Sequence, residues 1–280
     1  MNGKVAKLLL AAGMAMVIFS GCKREPSAAN IMKEAAKNTS KAESFSGNMA
    51  ADLGMEMKES GVSIELDMSM DMDIEAVKET GACHMKGSVK AGLADVEMDM
   101  ELYNVPGEEE SEYITYTKIG NIWTKKKNDA GEENSIAELL NLESLIEGGG
   151  KLELEKEVEK EDDREVYIIT TSVGSSSFRG MGDFMDGVLG GVGEGLKVAD
   201  AEIHVIFRIY KDTMLPASVS VALSGKEGEG LVIPDGDGNE VVLNNLSLLL
   251  HFEEFNHVDK IEVPEDALVA QPDSMNIMGD

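Results

Sequence analysis

An unbroken alternation of apolar and polar side chains over residues 62–75 is the strongest constraint on the fold. Each odd position, from Ser63 to Glu75, is polar. The apolar even positions are Val62, Ile64, Leu66, Met68, Met70, Met72 and Ile74. Because successive side chains of a strand point to opposite faces, this pattern predicts a strand with one buried and one solvated face. The length of the run favours an antiparallel sheet that curves strongly or forms part of a barrel.

The same period of two recurs along much of the chain. Residues 82–90 are expected to pair back on this strand, with Lys86, Ser88 and Lys90 facing its acidic row. After Lys90 the polar side chains move from even to odd positions, which predicts either one long strand bent near residues 92–94 or two strands joined by a tight turn. Other predicted strands are 46–58, 113–119, 121–127, 151–160, 165–172, 201–210, 217–225 and 241–255.

Three segments have helical periodicity. Residues 30–44 form the first, with Asn30 as its expected N-cap, and residues 135–147 begin with a capping box. Residues 178–196 are amphipathic but rich in glycine, and each glycine costs up to about 1 kcal/mol relative to alanine. Two interpretations of this third helix are open: a mobile lid, or a helix whose glycines allow close packing on the sheet.

The N-terminus predicts export and a lipid anchor. Lys4 and Lys7 precede an uncharged run over residues 8–20, which is too short to span a bilayer and is typical of a signal peptide. The run ends in Phe19-Ser20-Gly21-Cys22, which resembles the lipobox of bacterial lipoproteins. The predicted organisation is a signal peptide (1–21), a tether (22–29), one domain (30–265) and a loose C-terminal tail (266–280).

This organisation predicts a diacylglyceryl group on Cys22 and a protein anchored to the cell membrane, facing outside the cytoplasm. With Cys22 acylated, Cys83 is the only other cysteine, so no intramolecular disulfide is expected. The chain has 25 basic and 53 acidic residues and a net charge of −28, which excludes nucleic acid as a partner.

Three stretches of the sequence carry a family resemblance. They are residues 31–44, the pair Tyr116-Thr117-Lys118 and Trp123-Thr124-Lys125, and residues 209–216. Together with the lipobox, they resemble the lipoprotein-localisation-factor superfamily (LolA/LppX-like). The resemblance implies an α+β, mainly β fold: a half-open antiparallel β-barrel or curved sheet with helices covering its concave face. It also implies that this face binds acyl chains or lipidated proteins.

Methionine is concentrated on the apolar sides of the predicted strands. We predict that the ligand-lining residues are Met55, Met57, Leu66, Met68, Met70, Met72, Met98, Met100 and Phe184. Two interpretations remain open: these side chains fill a core, or they form an adaptable apolar cavity for a lipid. A third is copper(I) binding by the Met-x-Met repeat, which lacks a neighbouring histidine cluster.

No motif in the chain is typical of an enzyme. Cys83 and His84 are adjacent, so on a strand they face opposite ways and form no catalytic pair. The acidic segment 235–240 lacks the glycine and glutamate positions of an EF-hand and is predicted to be a turn. We expect no cofactor. The two function hypotheses are a lipid-binding module and an envelope interaction or sensor protein without a bound ligand.

Overall fold

The computed structural model describes residues 26–59, 62–92, 96–109, 112–129, 150–156, 159–174, 202–224, 231–234 and 240–272. In these ranges the chain is mainly β. The helices are α1 (Ala28–Thr39) and α2 (Glu265–Leu268). The strands are β1 (Ser44–Glu59), β2 (Val62–Val77), β3 (Ala82–Ala91), β4 (Val96–Pro106), β5 (Glu112–Ile119), β6 (Ile122–Asp129), β7 (Glu153–Leu154), β8 (Glu159–Glu161), β9 (Arg164–Gly174), β10 (Glu202–Tyr210), β11 (Pro216–Ser224), β12 (Leu231–Pro234), β13 (Glu240–Phe255) and β14 (Gln271–Pro272).

These strands form one large, curved sheet that does not close on itself in the described part of the chain. Strands β1 to β6 form a meander in which each strand pairs antiparallel with the next. Strands β9, β10, β11 and β13 form a second antiparallel group, and the pairing of β1 with β13 joins the two groups. The short strands β7 and β8 pair with β9, β12 pairs with β13, and β14 pairs parallel with β6.

The pairing registers confirm the predicted faces of the meander. Met49 of β1 lies opposite Met72 of β2, so the apolar positions of both strands share one face of the sheet. On the other face Asp73 pairs with Lys86, as the sequence predicts. The parity change after Lys90 marks a chain reversal, because β3 and β4 are two separate antiparallel strands.

Helix α1 packs on the apolar face of the sheet. Its side chains Ile31, Met32 and Ala35 are buried in the same apolar cluster as Met49 of β1 and Phe207 of β10. The prediction that Asn30 caps this helix is wrong: the helix begins two residues earlier, and the Ser27 side chain accepts a hydrogen bond from the Asn30 backbone N–H. The helix ends at Thr39 rather than at residue 44, with Ser40 as its C-cap, and β1 begins at Ser44.

The segment after residue 264 contains α2 and β14, whereas the sequence predicts a loose tail over residues 266–280. The outer side of β4, β5 and β6 carries Tyr103, Tyr116 and Trp123, and Ala267 of α2 packs against these aromatic side chains. The Trp123 Nε1–H donates a hydrogen bond of 3.0 Å to Asp266. Burial of this aromatic surface gives the C-terminal segment a defined position.

The predicted helices over residues 135–147 and 178–196 lie outside the described residues, as does Cys22. Among the described helices, α1 is the one that packs on the apolar face. None of the helices in the described ranges has the length and apolar character needed to cross a bilayer.

Candidate functional site

Exposure of the apolar face rises from one end of the sheet to the other. We call its buried part the closed end, made up of Phe45, Met49, Met72, Ile74 and Met85, whose exposed fractions are all at or below 4%. We call its exposed part the open end, made up of Met57, Ile64, Val96, Met98, Ile119 and Ile122, whose exposed fractions run from 37% to 68%. The same sheet face is therefore a core at one end and an accessible apolar surface at the other.

The lengths of the elements explain part of this difference. Strands β1 and β2 have 16 residues each and span about 53 Å at 3.3 Å per residue. Helix α1 has 12 residues and spans about 18 Å at 1.5 Å per residue. The helix therefore covers only part of the strand length, and its C-terminal end lies near the loop after β10, where the Asn38 side chain donates to the Thr213 carbonyl oxygen.

The structure brings the eight described residues of the predicted ligand-lining set onto this one face. Met70 and Met72 are packed in the core, whereas Met57 and Met98 are among the exposed apolar side chains. The remaining four, which are half-buried, are Met55, Leu66, Met68 and Met100. Phe184, the ninth residue of the set, lies outside the described residues.

Burial of Met70 and Met72 also bears on the copper(I) interpretation. Two of the three thioethers in the Met68, Met70 and Met72 repeat are in the core, where they contact other apolar side chains. In the described ranges, no three His, Cys, Asp or Glu side chains are grouped so that they could hold a metal ion. The repeat is therefore a packing element over most of its length.

The predicted ligand-lining set is chosen mainly by its methionines, so it omits four members of the open end. These are Ile64, Val96, Ile119 and Ile122. Ile119 and Ile122 flank the two-residue turn between β5 and β6 and lie opposite each other. Ile119 also lies opposite Met100 of β4, so the open end continues across the meander. The signal that was available is the period-two register of β5 and β6, which puts both isoleucines on the same face as Met100.

The opposite face of the meander is polar. A cleft of about 740 Å³ on this face is lined by Asn48, Asp71, Asp73, Lys86, Ser88, Asp99, Glu101 and Lys118, with shorter contributions from the turn after β5. Here the Asn48 side chain donates to Asp71 at 2.7 Å. Opposite charges alternate along this cleft, which is the solvated face that the sequence predicts.

A hydrogen-bonded group borders the polar cleft. The two ring nitrogens of His84 lie 3.3 Å from a Glu75 carboxylate oxygen and 3.1 Å from a Glu101 carboxylate oxygen, and the Tyr103 hydroxyl donates to Glu101 at 2.9 Å. Burial tends to raise the pKa of Glu101, but these hydrogen bonds and the charge of Lys86 outweigh it, so the pKa lies below its ordinary value. Glu101 is therefore held as a carboxylate anion.

Cys83 lies on the apolar face and His84 on the polar face, as the sequence predicts. The thiol of Cys83 is 2% exposed, and burial raises its pKa to about 12. The His84 ring instead stacks on Tyr103, with ring centroids 4.2 Å apart. A thiol with so little thiolate is a poor nucleophile, and this pair has no geometry for catalysis.

A sequence-family model matches residues 27–272, and it describes a family of unknown function, DUF6612. The chain belongs to this family. The match covers the whole sheet described above, from the N-cap of α1 to β14. No curated protein sequence matches the chain.

Solved structures give more distant similarities. The chain is similar to LprF from Mycobacterium bovis, with a TM-score of 0.47 and 10% identity over 85% of this chain and 96% of that one. It is similar to the lipoprotein LppX from Mycobacterium tuberculosis, with a TM-score of 0.44 and 13% identity over 83% and 96% of the two chains. LppX is a namesake of the superfamily that the sequence resembles. At these scores the likeness carries no argument about a ligand.

Proposed function

We propose that this protein is a membrane-anchored, extracytoplasmic lipoprotein that binds a lipid or another hydrophobic ligand on the apolar face of its sheet. The observation that carries the proposal is the graded exposure of this face. Chains in water rarely leave a contiguous apolar surface uncovered unless it binds something. Here the surface runs without interruption from a packed core to side chains that are one-third to two-thirds exposed.

The half-buried residues between the two ends would line the bound ligand. Met55, Met68 and Met100 have flexible, polarisable side chains that adapt to acyl chains of different shape. Binding would come from apolar burial, at about 25 cal/mol per Å² of apolar surface removed from water. The residues beyond them, towards Met49 and Met72, close the site as a fixed apolar wall.

Lipid extraction and native mass spectrometry of the purified chain test this function. We expect lipid to copurify with the wild type and to be lost from the variant Met68→Lys, because an ammonium group on the apolar face is costly to desolvate. The matched control is Ser69→Lys, which adds the same charge at the next residue, on the polar face. Lipid-free wild-type protein, or equal lipid content in the two variants, would contradict the proposal.

The anchor is tested separately. The sequence around Cys22 supports acylation of this cysteine, so Cys22→Ala should convert the protein from a form that resists carbonate washing of membranes to a form that the wash releases. The variant should keep its ligand, since the ligand-lining residues lie on the sheet. If the Cys22→Ala variant stays in the membrane fraction after washing with salt and carbonate, the anchor assignment is wrong.

A further inference from the structure

The open end of the apolar face continues onto an exposed corner of the molecule. Ile119 and Ile122 stand on either side of the β5–β6 turn and are 52% and 68% exposed. Two more apolar side chains, Leu268 and Val269 at the end of α2, are 50% and 81% exposed. Gln271 of β14 pairs parallel with Thr124, which brings the residues just before it alongside the start of β6. We call these four residues the apolar corner.

The charge around the apolar corner differs from that of the rest of the chain. Residues 112–129, which form β5 and β6, carry four lysines and two acidic residues, in a chain whose net charge is −28. The acidic residues of α2, Glu265 and Asp266, balance this local excess of positive charge. Strands β5 and β6 and helix α2 together are therefore close to electrically neutral, although the polar cleft that borders the β5–β6 turn carries four carboxylates and two lysines.

An indole ring lies beside the corner. Trp123 follows Ile122 directly, its Nε1–H is bonded to Asp266, and the Lys118 ammonium lies 5.3 Å from the centre of its ring. Tryptophan and lysine beside exposed aliphatic side chains are typical of protein surfaces that meet the boundary between lipid headgroups and acyl chains. Exposed aliphatic side chains beside an indole ring and an ammonium group therefore fit the headgroup region of a bilayer.

We propose that the apolar corner docks on the surface of a lipid bilayer and brings the open end of the apolar face to the membrane. This inference rests on the proposed lipid-binding function, because docking would let a lipid pass between the bilayer and the sheet. The predicted tether keeps the domain near the bilayer, because the five residue steps from Cys22 to Ser27 span at most about 18 Å. Docking is driven by apolar burial, so it requires no anionic lipid.

Vesicle flotation tests the docking. The predicted mature chain, residues 22–280, carrying Cys22→Ala lacks both the apolar signal segment and the lipid anchor, and it is mixed with phosphatidylcholine vesicles. We expect the protein to float with the vesicles, and we expect Ile122→Asp and Val269→Asp each to weaken binding by about tenfold or more, because each removes a large aliphatic side chain from the contact. The matched control is Leu249→Asp, an exposed leucine on the polar face of β13, which should bind as the parent does.

The outcomes separate docking from ligand binding. Loss of vesicle binding by Val269→Asp with its copurifying lipid retained supports docking and leaves the lipid-binding function intact. Absence of vesicle binding by the parent chain, or equal binding by Ile122→Asp and the parent, overturns docking even where lipid copurifies. Vesicle binding by a chain that never carries lipid supports docking and counts against the proposed function. Self-association that Ile122→Asp abolishes, without vesicle binding, would assign the corner to a second copy and overturn docking.

Discussion

The closed end of the apolar face is covered by packed side chains and the open end is exposed to solvent, although the strands of both ends alternate apolar and polar residues in the same way. At the closed end, Met72 belongs to the apolar cluster that includes side chains of α1 and is 1% exposed. At the open end, Met98 is 38% exposed on the same face. Methionines with the same alternation can therefore belong to a core at one end of a sheet and to an exposed apolar surface at the other, depending on which elements cover them.

Thiol chemistry offers the largest expected contrast between the two ends. In a Cys22→Ala background, the native Cys83 thiol should react with a maleimide far more slowly than a thiol placed at the open end by Met98→Cys. Burial raises the pKa of Cys83 from 9.0 to about 12, so its thiolate fraction near pH 8 falls about a thousandfold. The labelling rates of Met98→Cys with Cys83→Ala, and of Cys83 alone, measure this contrast.

Labelling in urea is the control for that comparison. Once the chain unfolds, both thiols should react at similar rates, because their environments become equivalent. Native-state labelling of Cys83 as fast as labelling at position 98 would mean that the closed end opens readily.

Truncation of methionine should separate the two ends by a smaller margin. Met72→Ala should lower the free energy of unfolding by about 2–5 kcal/mol, as expected for a buried methionine whose removal leaves a cavity. Met98→Ala should lower it by less than about 1 kcal/mol, because solvent already reaches that side chain. Urea unfolding of both variants checks this, and equal losses would show that the open end is packed in solution.

The smallest expected effect is the pH dependence of the free energy of unfolding that comes from Glu101, on the polar face of the sheet. The lowered pKa of Glu101 means that its ionised form contributes stability above the ordinary carboxyl pKa of 4.5, and that this contribution is lost as the pH falls through the folded-state pKa. Glu101→Gln should therefore cost about 1 kcal/mol at pH 7 and progressively less below pH 4.5.

The matched variant for that titration is Glu97→Gln. A carboxylate oxygen of Glu97 lies 3.7 Å from the Lys90 Nζ, and both side chains are more than half exposed. Such exposed ion pairs contribute little to the free energy of unfolding. Glu97→Gln should therefore change the free energy of unfolding of the protein little, both at pH 7 and below pH 4.5. A pH dependence as large as that of Glu101→Gln would show that the geometry around His84 and Tyr103 has no special role.

The sequence predicts the positions and the apolar sides of strands well where one face of the strand is buried and the other is exposed to solvent. The alternation over residues 62–75 identifies both β2 and its apolar side, because a shift of one residue would turn every acidic side chain inward. It does not predict that Met72 is buried and Met57 is exposed, because both satisfy the same pattern. That difference depends on the position of α1, which is fixed by contacts between residues distant in sequence.

Two features at the ends of the domain differ from the predictions: the N-cap of α1 and the C-terminal segment that contains α2. Both Ser27 and Asn30 are good N-cap residues, and the extended backbone of Ser27 gives it that position. The C-terminal helix has only four residues and little periodicity of its own. Its place depends on the aromatic side chains of β4, β5 and β6, more than 140 residues earlier, which no local pattern reports.

The pairing of β1 with β13 has a consequence for how the chain folds. Each group of strands is built largely from neighbours in sequence, but Phe45 lies opposite Phe255, so the seam between the groups joins residues more than 200 positions apart. Loop closure over that distance makes the seam a slow step. Until residue 255 has emerged from the ribosome, the sheet is two incomplete halves. A chain that ends before β13 therefore lacks the strand that holds the two groups of the sheet together.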